Sequence, residues 1–215
     1  MIAAYPPPPF WIWPVLLVVG GLLMWWGAVQ GRRAAANLRA LAQRLGFEYL
    51  EDQRVLWTTT AIVTGQRDGR EVRFFTFITR TGKSSTTWRA VSVRPRAIGG
   101  LLFNVQPQGL VTKLNEFFGT EEITVGDAAF DAAWFLETNE PEFLRAALVP
   151  EVRTKLMAVH ATIRSGGNFQ LQEAAVRYVE AGTFVDAETC LRLERMLPVL
   201  DDLADIAEVS AERRS

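Results

Sequence analysis

Few residues of this 215-residue chain are of the types that commonly carry out chemistry. It contains one histidine, His160, and one cysteine, Cys190. An intramolecular disulfide, a site with two imidazoles and a multi-cysteine metal centre are therefore excluded for a single chain. A catalytic imidazole would also need a nucleophile and an orienting acid beside it. We interpret His160 as a surface or packed helical residue and Cys190 as a small, buried apolar one.

Two short motifs suggest chemistry on first sight. Gly82-Lys83-Ser84 has the letters that end a phosphate-binding loop, but Phe77 stands where that loop needs its first glycine, and a strand pattern follows. A solvated hairpin loop is the favoured interpretation. Asp127 and Asp131 could act in acid–base catalysis or bind a metal ion if they converged in a cleft. No third acid has the spacing of a metal ligand, however, and turn formation and strand capping are the favoured roles. The sequence thus predicts no catalytic residue, cofactor or metal site.

The strongest signal is an uncharged run from Phe10 to Val29. Twenty helical residues rise about 30 Å, the thickness of the hydrocarbon core of a bilayer. Aromatic residues lie at both ends, as is typical of the two membrane interfaces. A cleaved signal peptide would have a basic start and a small-residue cleavage site, which are missing, and a buried core helix would not need the aromatic ends. We predict a transmembrane helix over residues 10–30, with the marker residues Phe10, Trp11, Trp13, Trp25, Trp26 and Val29.

Positive charge lies on one side of this span. The first charged side chain of the sequence is Arg32, and it is followed by Arg33, Arg39 and Arg44. The positive-inside rule places the residues after the span in the cytoplasm and residues 1–9 outside, as a short external tail. We therefore predict a single-pass protein of the plasma (inner) membrane, in which these four arginines contact the anionic membrane surface.

Three glycines lie near one face of the predicted span. Gly27 and Gly31 are four residues apart, and Gly20 precedes them by seven. Small residues in this pattern allow close contact between membrane helices, with a second copy or with a partner protein. The alternative is that glycine is simply common in such spans.

The rest of the chain has the pattern of an α+β protein. Residues 31–46 keep a helical period, which predicts that the membrane helix continues as a juxtamembrane amphipathic helix ending near Gly46. Residues 47–210 predict a single cytoplasmic domain in which strands joined by turns, such as Asp68-Gly69, precede most of the helices. Short turns favour a mainly antiparallel sheet followed by C-terminal helices.

Helices are also predicted in the later part of the chain. We expect a helical stretch from Leu110 to Phe118 and a helix capped by Asn139 with Pro141 in its first turn. A further helix should begin after Pro150. Asp186 should cap one long final helix that Pro198 kinks.

The net charge of −1 conceals a strong asymmetry. Residues 31–113 contain 14 basic and 5 acidic side chains, whereas residues 114–215 contain 9 basic and 19 acidic ones. The basic half could dock on anionic lipid, or the two halves could pair within one domain. The arginines in question are Arg67, Arg70, Arg73, Arg89 and Arg94. Nucleic acid is not an expected partner, because no recognition motif accompanies these arginines.

Three segments of the second half resemble a known kind of family. They are Phe130–Leu136 (FDAAWFL), Asn139–Glu142 (NEPE) and Leu148–Arg153 (LVPEVR). Over about residues 126–210 the chain resembles uncharacterised bacterial membrane-anchored families of unknown function, which usually carry two hydrophobic segments where this chain has one. The resemblance implies architecture and membrane association and transfers no activity.

These observations favour a membrane-anchored cytoplasmic module that binds a protein partner or the anionic membrane surface. The alternative is a membrane-tethered hydrolase or transferase with a dispersed polar site, for which Asp127, Asp131 and His160 are the residues to examine. A third hypothesis is a subunit of a membrane complex, held through the glycine face.

Overall fold

In the residues that the structure describes, the fold is a nine-stranded sheet with helices packed on one face. The computed structural model describes residues 12–52, 60–82, 84–109, 121–164 and 166–214. The helices are α1 (Ile12–Leu45), α2 (Ala128–Ala133), α3 (Pro141–Ala147), α4 (Pro150–His160), α5 (Ala187–Glu194) and α6 (Leu197–Glu212). The strands are β1 (Glu48–Asp52), β2 (Thr60–Arg67), β3 (Arg70–Thr81), β4 (Ser84–Val93), β5 (Phe103–Pro107), β6 (Glu121–Ile123), β7 (Trp134–Thr138), β8 (Asn168–Gln172) and β9 (Ala175–Ala181).

Every strand pairing in the sheet is antiparallel. The order is β1-β2-β3-β4-β9-β8-β5-β7-β6, so the first four strands form a meander. Along β3, Val72 and Phe74 are fully buried against the helices, whereas the alternate residues Arg73 and Phe75 point to the opposite face, as the period of two requires. The α+β class, the antiparallel sheet and the C-terminal helices predicted from the sequence are confirmed.

Helix α1 is one continuous helix of 34 residues. Its first half carries the uncharged run, and the large apolar side chains there, such as Leu17 and Leu23, are exposed. Its second half buries Leu38, Leu41 and Ala42 in the domain core, and Gly46 ends it with a positive φ. The predicted span and the predicted amphipathic helix are thus two parts of a single helix.

The core between the sheet and the helices is rich in aromatic residues. Trp134, Phe169 and Tyr178 form a chain of ring contacts with centroid distances of 6.1 and 4.9 Å. Helix α6 lays its buried stripe, which includes Leu200, Leu203 and Ala207, over this core. Contacts of this kind supply most of the hydrophobic stabilisation of a domain.

Two local predictions are wrong. Asn139 does not cap α3: the capping position is Glu140, and the Asn139 side chain accepts from the Leu102 N–H and donates to the Gly100 carbonyl. The final helix is not one kinked helix but two, because Pro198 lacks an N–H and sits in the first turn of a new helix, α6. The predicted helix over residues 110–118 lies outside the described residues.

Candidate functional site

The junction between α1 and the domain holds the helix in a fixed direction. Asn37 donates from Nδ2 to the Phe184 carbonyl at 2.9 Å, and Arg44 pairs with Glu194 at 2.6 Å. Arg39 pairs with Glu51 at 3.4 Å and lies over the Tyr49 ring. The helix therefore enters the domain as a rigid extension of its core and not as a flexible tether.

The four arginines predicted to contact the membrane divide into two pairs. Arg39 and Arg44 hold α1 on the domain through the ion pairs just described. Arg32 and Arg33 are exposed, and within the described part of the chain no carboxylate lies within ion-pair distance of either. Arg32 and Arg33 therefore remain candidates for contact with lipid. Of the predicted span residues, Trp25 and Trp26 are exposed on α1, whereas Phe10 and Trp11 lie outside the described residues.

The glycine face of α1 is open. A Cβ atom added at Gly20, Gly27 or Gly31 would meet no other atom of the chain within 4 Å. The face is thus accessible for contact with another helix, and its use in such a contact stays a prediction.

The basic and acidic halves of the chain pair with each other at the β2–β3 turn. Arg70, whose side chain is only 5% exposed, donates to Glu208 at 2.8 Å and also pairs with Asp205. Arg67 pairs with Asp201 at 3.3 Å. Hydrogen bonding to Arg70 holds the pKa of Glu208 below its ordinary value. These arginines of the basic half thus fasten α6 to the sheet.

A second ion cluster is buried where strands β4 and β9 pack against helix α5. Glu180 is fully buried and accepts from Arg89 Nε at 2.6 Å, from both Arg192 Nη atoms at 2.6 Å and from the Tyr178 hydroxyl at 2.8 Å. Burial acts to raise the pKa of Glu180, but hydrogen bonds from Arg192 and the charge of Arg89 outweigh it, so the pKa is lowered. Both carboxylate oxygens are used up by this pairing, which makes the cluster a structural cross-link between β4, β9 and α5.

The last two of the five arginines named from the sequence, Arg73 and Arg94, pair locally. Arg73 and Arg94 both lie near Glu71, at 2.7 and 3.8 Å. Together with Arg177, they line a shallow groove of roughly 210 Å³ on the sheet face opposite the helices. Since Arg177 pairs with Glu173 at 3.5 Å, the groove contains mutually compensated charges.

The three residues of the enzyme alternative each make structural contacts. Asp127 caps α2 by accepting from the Phe130 N–H, and Asp131 accepts from the Val125 and Gly126 N–H groups at 2.9 and 3.0 Å. His160 Nε2 lies 3.1 Å from the Ala133 carbonyl, and its ring packs edge-on against Trp134. None of the three lines the groove beside Arg73 and Arg94 or the second groove, which lies between α3, α4 and α6. The sequence predicted turn formation and strand capping for these two acids. Asp131 does bind the turn before α2, but Asp127 caps a short helix that was not predicted and not a strand.

The other two chemistry-like features are also structural. Cys190 is buried in α5, as predicted, and burial raises the pKa of its thiol to about 11. Gly82 adopts a positive φ between β3 and β4, so the Gly-Lys-Ser motif lies at a hairpin and not at the start of a helix. In the parts of the chain that the structure describes, no cluster of three or more acidic, histidine or cysteine side chains suits a metal ion.

A second groove, which we call the α4–α6 groove, lies between α3, α4 and α6. It has a volume of roughly 270 Å³. Its lining is mostly apolar with two carboxylates: Ala147, Val149, Val152, Ile206, Val209, Asp202 and Asp205. Val149 and Val209 are both more than 40% exposed, which leaves apolar surface open to a partner.

Sequence reasoning missed this groove and the Glu180 cluster. Glu180 ends a strand pattern in which Val176 and Tyr178 point into the core, so the alternation alone would have placed Glu180 inside. The groove needed knowledge of how three separate helices meet.

Comparison with known proteins gives one informative likeness. No model of a known protein family matches this chain, and no curated protein matches it either. The fold is similar to the crystal structure of the mycobacterial trehalose monomycolate transport factor A, TtfA. The TM-score is 0.55 at 14% sequence identity, and the match covers 82% of this chain and 93% of that one. At this identity the likeness establishes a shared fold.

Helix α1 passes the length and hydropathy test for a membrane span. The candidate segment is Pro14–Leu45, near the N-terminus, and its most apolar stretch is entirely unburied by the rest of the chain. A soluble domain would bury such a stretch, so its exposure suggests a membrane anchor.

Proposed function

We propose that this chain is a single-pass inner-membrane protein whose cytoplasmic domain is a non-enzymatic module that binds a protein partner in a membrane transport process. The observation that carries this proposal is the continuity of α1. Its exposed apolar half suits a bilayer, and its other half is part of the domain core. The arginines that follow the span favour an external N-terminus and a cytoplasmic domain.

The α4–α6 groove is the favoured surface for the partner. Its apolar side chains would bury area on binding. The two carboxylates beside them already have basic partners within the chain, since Asp202 pairs with Lys155 at 2.7 Å and Asp205 pairs with Arg70. Such a surface suits the apolar face of a partner segment, for example an amphipathic helix next to the membrane span of another protein. Helix α5 ends away from the bilayer, because Glu194 at its end pairs with Arg44 at the domain end of α1. Helix α6, which follows α5 and lines the groove, begins there, so the groove faces away from the bilayer in the proposed orientation.

The likeness to TtfA supports the class of the proposal. That protein is named as a transport factor, and the match extends over nearly all of it. The named cargo, trehalose monomycolate, is a property of that protein. For this chain we propose the role of an accessory factor and leave the cargo open.

The test combines membrane extraction with a matched pair of variants. Val209→Asp places a charge in the groove, whereas Leu191→Asp changes a residue of similar exposure, 41% against 49%, on the surface of α5 outside the groove. The tagged full chain is crosslinked in cells, extracted in mild detergent and captured, and the co-purifying proteins are identified.

We expect the chain to resist alkaline extraction of membranes. We also expect a partner protein that is recovered equally with the parent chain and with Leu191→Asp. Its recovery with Val209→Asp should fall by at least about tenfold, and a tenfold loss of affinity corresponds to 1.4 kcal/mol. Release of the chain by alkali would overturn the anchor. A partner set that is the same for all three proteins would overturn the groove as the binding surface.

A further inference from the structure

The direction in which α1 leaves the membrane fixes which end of the sheet faces the bilayer. Because β1 follows α1 through the turn at Gly46 and returns beside Arg39, which contacts both Tyr49 and Glu51, β1 runs back along α1 toward the bilayer. Strand β2 is antiparallel to β1, and β3 is antiparallel to β2. Strand β3 therefore also runs toward the bilayer, and the β3–β4 hairpin ends on the membrane side.

The hairpin is long enough to reach the membrane interface. In the β1–β2 pairing, Glu51 is opposite Ala61. In the β2–β3 pairing, Val63 is opposite Phe74, so continuing this register by two residues places Ala61 level with Thr76. From Thr76 to Thr81 the strand advances five residues, or about 16 Å. From Arg39 to Arg32 the helix rises about 10 Å. Even if the strand were tilted by 45° to α1, the advance would be about 11 Å, so the hairpin end reaches the level of Arg32.

The chemistry of the hairpin end suits an anionic lipid surface. Ile78 is 52% exposed and Arg80 is exposed. In the described residues no carboxylate lies within ion-pair distance of Arg80, in contrast to Arg70 at the other end of the same strand. The sequence contains no Asp or Glu between Glu71 and Glu116. A basic group near an anionic leaflet gains about 1 kcal/mol, and an apolar side chain beside it can enter the interface.

The end of β1 lies further from the bilayer than the end of the hairpin. Strand β3 extends four residues beyond the position level with the last residue of β1, which is about 13 Å. The hairpin thus outreaches the end of β1, where Glu51 is already paired with Arg39.

We propose that the end of the β3–β4 hairpin, through Ile78 and Arg80, rests on the anionic lipid surface beside α1. This proposal rests on the proposed membrane anchor. The two contacts together hold the sheet upright on the membrane, with the β2–β3 turn and the α4–α6 groove directed into the cytoplasm. One contact alone would leave the domain free to tilt about the helix end.

The test compares probes at the two ends of β3 in the full chain. A single cysteine is introduced as Thr81→Cys at the hairpin end or as Asp68→Cys in the opposite turn, in a Cys190→Ala background. Each protein carries an environment-sensitive fluorophore and is reconstituted into vesicles with 30% phosphatidylglycerol, or with phosphatidylcholine alone, that contain a quencher on the lipid headgroup.

We expect the probe at residue 81 to be quenched at least twofold more than the probe at residue 68 in the anionic vesicles. The difference should shrink in neutral vesicles and in the Arg80→Glu variant, and should persist in Arg73→Glu, which changes an exposed arginine of the opposite sheet face. Equal quenching of the two probes would overturn the hairpin contact, and so would a difference in quenching that changes neither with lipid charge nor with Arg80→Glu. Failure of the chain to float with vesicles would instead overturn the anchor, so the two failures are distinguishable.

Discussion

The arginines at the two ends of β3 are in opposite environments. At the far end, Arg70 is buried and pairs with two carboxylates of α6, Asp205 and Glu208. At the near end, Arg80 is exposed, and the described part of the chain offers it no carboxylate. The far-end charge is used to hold a helix on the sheet, and the near-end charge is available for something outside the chain. The charge asymmetry of the sequence therefore has two different uses within one strand.

The largest effect is expected at Glu180, the paired carboxylate that is fully buried. Glu180→Gln leaves Arg89 and Arg192 without a counter-ion in the interior, and we expect the free energy of unfolding to fall by about 3–5 kcal/mol. Urea unfolding of the full chain in mild detergent, followed by tryptophan fluorescence, measures this loss.

The matched control for this variant is Glu173→Gln. Glu173 also pairs with an arginine, Arg177, but is 77% exposed, so we expect a loss of about 0–1 kcal/mol. Equal losses for the two variants would contradict the view that the Glu180 cluster cross-links β4, β9 and α5.

The two ends of β3 can be compared directly. Arg70→Ala removes the 2.8 Å hydrogen bond to Glu208 and the ion pair with Asp205, and it should lower the free energy of unfolding by about 2 kcal/mol. Arg80→Ala should change it by less than about 0.5 kcal/mol, as is usual for an exposed site without a partner. The same urea unfolding measures both variants, and a loss for Arg80→Ala as large as that for Arg70→Ala would show that the near-end arginine is structural as well.

The sequence predicted the parts of the fold that depend on local pattern. The uncharged run predicted the exposed half of α1, and the Asp68-Gly69 turn predicted the β2–β3 hairpin, because hydrophobic period and turn chemistry are local properties. The helical period that runs on to Gly46 also predicted that the membrane helix continues as the amphipathic helix, and α1 is one continuous helix.

The candidate site was less predictable for a physical reason. Whether Arg70 or Arg80 is paired depends on where α6 lies, and its contacts with Arg70 come from residues at least 131 positions away along the chain. The two alternatives for the basic half, pairing and lipid docking, both stayed open for that reason. The structure assigns Arg67, Arg70 and Arg89 to pairing, while Arg32, Arg33 and Arg80 stay candidates for lipid.

A pH titration sharpens the contrast at the far end. The pKa of Glu208 is lowered in the folded protein, chiefly by the hydrogen bond from Arg70. A carboxyl with a lowered pKa contributes stability that is present above its unfolded pKa of about 4.3 and is lost as the pH falls through the folded value. We expect unfolding measured between pH 6 and pH 3 to show this loss in the parent chain and a shallower loss in Arg70→Ala. Asp201, whose pKa burial raises, acts in the opposite direction, so the informative quantity is the difference between the two proteins. Parallel pH profiles would contradict the Glu208 assignment.

The smallest effect concerns the rigidity of the junction between α1 and the domain, on which the contrast between the two ends depends. Cys190 lies in α5, the helix that Arg44 of α1 contacts through Glu194, and its thiol is buried with a pKa of about 11. Relative to a thiol of pKa 9.0, its thiolate fraction at neutral pH is lower by about a hundredfold. If the junction stays closed, maleimide should modify Cys190 at least about a hundredfold more slowly than the cysteine of Asp68→Cys in the Cys190→Ala background, a position where the native side chain is 80% exposed. Urea should abolish the difference. Rapid modification in the absence of urea would show that α5 opens in the folded protein. In that case α1 would not fix the direction of the sheet, and the near end of β3 would not be held at the membrane.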